Sequence, residues 1–224
     1  VPIGETMIKD VFLSIGAAAR KLLTNWGPLF ISLLMSSALL VAVYRFFNIR
    51  EATNLQVALN VVLPIAAIAL FFLLQAMGLS YVRIGVGAGY LLKRALKDCW
   101  KILLVSLPLI LLAWLIVYLF GKADQAFFSA SLTAGSKARA WGSIALHATQ
   151  IFLLHVLLPL IAIHLWIATV REGVAPAFKG FGLAVARALA PRSLLTYALV
   201  CAGFGAIVYF LFFKTVTFKG VWTD

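Results

Sequence analysis

Residues 102–120 run without a single charged side chain between Lys101 and Lys122. A helix of that length rises far enough, at 1.5 Å per residue, to cross the roughly 30 Å hydrocarbon core of a bilayer. Four more stretches, 28–47, 57–79, 144–170 and 194–213, have similar length, and none contains Asp or Glu. Lipid excludes backbone that is not internally hydrogen-bonded, so the expected fold is an all-α integral membrane bundle of five spanning helices. Composition agrees: 64% of residues are hydrophobic and 12% charged, where soluble domains carry about a quarter charged. A soluble core in a chain of 224 residues has too little interior to hide so much apolar surface.

The charged residues set the topology. The stretch 90–101 alternates Leu91, Leu92, Ala95, Leu96, Cys99 and Trp100 with Lys93, Arg94, Lys97 and Lys101 at helical spacing, as a basic amphipathic helix does. It is expected to lie in the plane of the membrane surface, with Leu92, Leu96 and Cys99 buried and its lysines toward headgroups. Similar basic stretches cover 6–26 and 174–192, each leading into a span. Residues 48–54 read as the turn of a transmembrane hairpin. Gly85, Gly87 and Gly89 read as hinge positions, and 121–141 as the longest loop outside the spans. With this topology 12 of the 19 Lys and Arg residues share the side of the N-terminus, which the positive-inside rule places in the cytoplasm. A bacterial inner-membrane location is expected.

The net charge of +12 sits beside apolar spans, so anionic lipid is the nearer partner and nucleic acid is not expected. Cys99 and Cys201 suggest neither a disulfide framework nor a metal site.

Aligning Arg20 with Arg94 also aligns Leu22 with Leu96, Trp26 with Trp100, Leu29 with Leu103 and Ser32 with Ser106. A looser third copy begins at Arg187 and Leu189. Within a single transmembrane domain, 1–224, three repeat units follow, 6–79, 80–170 and 171–224. The last lacks its second span, and a sixth span is expected to follow residue 224.

The order of elements, with Ala188-Leu189-Ala190-Pro191-Arg192-Ser193-Leu194-Leu195 after a span ending in Thr169-Val170-Arg171-Glu172-Gly173, resembles bacterial six-helix membrane proteins related to the membrane domain of glycerophosphodiester phosphodiesterases. The resemblance implies an architecture and carries over no catalytic residue.

No Ser/His/Asp set, HExxH motif or carboxylate pair stands out, so no catalytic residue is assigned and a non-enzymatic role is expected. All three histidines, His147, His155 and His164, fall on the fourth span. An imidazole there is a candidate ligand for haem or a pigment, and His155 and His164 are the candidates. Nine residues of α-helix turn them to opposite faces, so they do not share one site within the span. A histidine hydrogen-bonded to a neighbouring helix is the simpler reading. Lys93, Arg94, Lys97, Lys101, Arg187 and Arg192 are the candidates for anionic headgroups. The leading functional expectation is a scaffold or accessory subunit of a larger membrane assembly. The alternative is a carrier or sensor of lipids and other amphiphiles, and a pigment- or haem-binding subunit comes third.

Overall fold

The structure is a computed structural model that describes residues 3–49, 53–84, 88–131 and 136–210. Every described element is helical: α1 (Ile3–Thr24), α2 (Trp26–Phe47), α3 (Asn54–Ile84), α4 (Ala88–Ser131), α5 (Ser136–Ile151), a π-helical turn (Phe152–Leu157), α6 (Leu158–Glu172), α7 (Val174–Lys179), α8 (Phe181–Ala188) and α9 (Pro191–Tyr209). The fold is all-α, as expected. Four helical stretches are long and apolar enough to cross a membrane: Trp26–Phe47, Asn54–Val82, Gly89–Phe127 and Trp141–Glu172. A fifth is bent, with α8 and α9 meeting at 62°. Residues 211–224, on which the end of the fifth expected span falls, lie outside the described residues.

The three basic stretches join their spans in three different ways. Between α1 and α2 the helix breaks at Asn25. The Asn25 side chain donates to the carbonyl of Lys21 at 2.9 Å, and the Tyr81 hydroxyl of α3 donates to the same oxygen at 2.9 Å. The carbonyl at the break is thus satisfied by side chains, and Tyr81, packed under the Lys21 ammonium, pins the junction to α3. Between α8 and α9 the bend falls at Leu189 and Ala190, and Pro191 opens α9 where its missing N–H costs nothing.

The second junction corrects the sequence reading, because 90–101 is no separate surface helix. It is the start of α4, a single helix of 44 residues about 66 Å long. That is about twice the hydrocarbon thickness, so with 102–120 across the bilayer the basic turns extend past one face as part of the same helix, which also holds Pro108. The reason is local: from Tyr90 to Leu107 the sequence holds no Gly or Pro, and Leu, Lys, Arg and Ala are strong helix formers. At its other end α4 continues through Lys122-Ala123-Asp124-Gln125-Ala126-Phe127, where a loop was expected. Polarity rises there, yet the helix goes on. Gly89 lies within α4, while Gly85 and Gly87 fall outside the described residues. Gly173 does break the chain between α6 and α7, at φ 99°, a conformation that glycine adopts without a steric penalty.

The described residues pack as two compact units, one drawn from Ile8–Leu112 and Leu165–Phe181, the other from Val1–Met7, Ala113–His164 and Gly182–Asp224. In the first unit α2 and α3 form the expected hairpin. Its core gathers Phe72, Ala76 and Met77 of α3, Ile102 and Val105 of α4, and Leu165 and Trp166 of α6. The Trp166 ring stands edge-on to Phe71 and Phe72, with centroids 6.4 and 6.2 Å away, the geometry that ring quadrupoles favour. Its indole N–H donates to the buried Ser106 hydroxyl at 2.8 Å, and Ser106 donates in turn to the carbonyl of Ile102 at 2.8 Å. In the second unit Gly142 of α5 leaves room for the Phe127 ring of α4, which occupies the space a Cβ at 142 would fill.

Candidate functional site

On the basic end of α4 the face turned into the protein is Leu91, Ala95, Asp98 and Ile102, each at most 3% exposed. This is one residue step, about 100° of rotation, from the expected face, and Leu96 is 59% exposed. At the centre of the buried face lies Asp98, which sequence reasoning passed over. Its two carboxylate oxygens are taken by Lys101 Nζ at 2.7 Å and Arg94 Nε at 3.3 Å. A carboxylate removed from water is tolerated when it is paired and hydrogen-bonded in this way. The cue was present in the sequence, since Arg at i−4 and Lys at i+3 are the helix neighbours of residue 98.

Asp98 therefore sorts the basic residues of α4. Arg94 and Lys101 belong to the internal ion-pair triad, whereas Lys93 and Lys97 are exposed and, among the described residues, form no ion pair. Arg187 on α8 and Arg192 at the start of α9 are also exposed and without an ion pair among the described residues.

The histidines separate. His147 Nδ1 lies 2.9 Å from the carbonyl of Ser143, within its own helix. His155 has an exposed side chain. His164 Nε2 lies 3.3 Å from the Ser193 hydroxyl of α9, so one of its ring nitrogens is engaged by a neighbouring helix. Among the described residues no group of three or more His, Cys, Asp and Glu is placed to hold a metal.

The π-helical turn adds a feature with a physical cause. Across it the Leu158 N–H reaches the carbonyl of Leu153, and the next residue, Pro159, has no N–H to give. In α geometry Pro159 would have faced the carbonyl of His155. That carbonyl instead accepts a short hydrogen bond from the Tyr197 hydroxyl of α9. In lipid an unsatisfied carbonyl has no water to turn to. Replacing Tyr197 with Phe is thus expected to cost about 1–3 kcal/mol, read as a fall in unfolding temperature in detergent. Adding Pro159→Ala supplies the missing N–H and should recover most of the loss. Two losses that simply add would contradict this pairing.

Beside these contacts α6 and α9 enclose an open cavity of about 400 Å³. Its walls are Leu160, Ile163 and Val200, and its polar groups are Arg192, Ser193, His164, Thr196 and the Tyr197 hydroxyl. Arg192 supplies a full positive charge to the lining, and no acidic side chain takes part. Arg192, Ser193, Thr196 and Val200 follow one another along α9. Along α9 the lining thus runs from the cationic Arg192 to the apolar Val200 over about 12 Å of helix.

No protein-family model, curated protein or solved structure matches the chain.

Proposed function

We propose that the protein engages anionic lipids, as a sensor or carrier of amphiphiles, from the cytoplasmic side of a bacterial inner membrane. The observation that carries this reading is the sorting imposed by Asp98. Of the four basic residues at the Asp98 end of α4, Arg94 and Lys101 pair with that carboxylate, whereas Lys93 and Lys97 are exposed beside Leu96 and Trp100 and form no ion pair among the described residues. A juxtamembrane lysine contributes about 1 kcal/mol of attraction to anionic headgroups. Neutralising Lys93 and Lys97 to Gln should weaken binding to vesicles containing phosphatidylglycerol by about thirtyfold. Arg94 and Lys101 stay in place in this variant because they hold Asp98. Binding that is unchanged and insensitive to salt would remove the proposal.

A second reading, an accessory subunit of a larger membrane assembly, draws on the α2–α3 hairpin. Only 11% and 6% of its spanning windows are buried, against 22% and 28% for the α4 and α5–α6 spans. A hairpin so open offers the broadest face to another membrane protein. Co-purification of a stoichiometric partner in mild detergent, lost when Leu33 and Val62 on that exposed face are changed to Trp, supports this reading. A chain that runs alone counts against it.

A further inference from the structure

We propose that the cavity between α6 and α9 binds one long-chain carboxylate, with its head at Arg192 and its chain along Ile163 and Val200. This rests on the reading of the protein as one that engages anionic amphiphiles, and gives it a site and a chemical class.

Charge complementarity selects the occupant. The lining includes Arg192 and no acidic residue, which matches an anionic head. A planar guanidinium pairs with a carboxylate through two parallel N–H donors. The Ser193 hydroxyl, already 3.3 Å from His164 Nε2, stands next to it as a further donor. Beside Tyr197, the rest of the walls, Leu160, Ile163 and Val200, is aliphatic. The volume, about 400 Å³, lies within the roughly 300–1,000 Å³ of small-molecule sites, and the cavity is open, so a tail longer than the groove continues into the bilayer. A groove between two helices with Arg192 in its lining and the charge of Arg187 felt at His164 suits an anionic head on one chain. A diacyl lipid would leave its second chain outside.

The test uses the full chain in nanodiscs of phosphatidylcholine, which removes competing anionic lipid. The probe is a palmitic acid carrying a diazirine on its chain, and adducts are mapped by mass spectrometry. The expected adducts fall on the peptides that contain Ile163 and Val200. Arg192→Gln should lower labelling about tenfold or more, Arg192→Lys should keep part of it, and the methyl ester of the probe should label wild type no better than the acid labels Arg192→Gln. Val200→Trp and, separately, Ile163→Trp fill the groove and should abolish the adducts, and variants that remain monodisperse with unchanged helicity are compared. Equal labelling by acid and ester, or labelling that survives both tryptophans, overturns the proposal. Lys93 and Lys97 lie outside this cavity. If their neutralisation still weakens vesicle binding about thirtyfold while the groove takes no probe, the site proposal fails and the wider reading stands. If the groove is labelled as expected and vesicle binding ignores Lys93 and Lys97, the wider reading fails at α4.

Discussion

Replacing Asp98 with Leu is expected to lower stability by about 2–3 kcal/mol, seen as an earlier unfolding transition in detergent. Breaking a fully buried pair costs about 3–5 kcal/mol, because the partner charge is stranded. The effect here is smaller because Arg94 and Lys101 retain 33% and 25% of their side-chain exposure and can swing toward headgroups. Two cations would still lose the one carboxylate that holds them to the buried face. Changing Arg94, Asp98 and Lys101 together to Leu should recover much of the loss, since a packed apolar group often replaces a buried ion pair without cost. A single Asp98→Leu change that leaves unfolding untouched would mean that the triad is incidental.

The second large effect is at Trp166. Truncation to Ala removes a ring that is 9% exposed and the edge-on contacts with Phe71 and Phe72, and should cost about 3–5 kcal/mol. Trp166→Phe keeps an aromatic ring and loses the indole N–H. Ser106 still donates to the carbonyl of Ile102, so only the worth of one hydrogen bond is lost, about 0.5–1.5 kcal/mol. Ser106→Ala is the more harmful change to that bond, because it leaves a buried N–H without an acceptor. Thermal unfolding of the three variants should rank Ala at 166 as worst and Phe at 166 as mildest. A Phe variant as unstable as the Ala variant would show that the hydrogen bond, and not the ring packing, holds α6 in place.

Much of the architecture is legible from the residues. The apolar runs around 28–47, 57–79, 102–120 and 144–170, and the described part of the fifth, 194–209, are helices because lipid permits few other backbones, and the run lengths located them well. Boundaries were harder, and for one physical reason. Polarity changes where the bilayer ends, whereas a helix ends where its backbone can no longer continue. At Lys101 and Gly121 the composition shifts but the helix does not end, and α4 runs through both as well as through Pro108. At Asn25, Gly173 and Pro191 the residues do mark real ends.

The candidate sites were legible in part. The basic residues of α4 were recognisable as a group, but their division into internal and free members depends on which residue faces inward. Leu91 and Leu92 are both apolar and differ by 100° of helix rotation, so periodicity alone favoured the wrong one and hid Asp98. His164 joined a neighbouring helix, as the simpler reading had it. Its partner Ser193 lies in another span, and no local pattern connects them. Pro159 was visible in the sequence, and its consequence follows from a missing N–H. That Tyr197 supplies the replacement donor required the packing of α9 against the π-helical turn.

Whether Lys93 and Lys97, left unpaired by Asp98, serve anionic lipid is tested by native mass spectrometry of the protein released from nanodiscs of mixed phosphatidylglycerol and phosphatidylcholine. The comparison is between a variant with Lys93 and Lys97 changed to Gln and a charge-matched variant with Lys9 and Lys122, both also exposed, changed to Gln. Retained phosphatidylglycerol is expected to fall in the first variant and to stay near the wild-type level in the second. Equal loss from both would make the attraction a property of net charge, and would contradict a lipid role for the free face of α4.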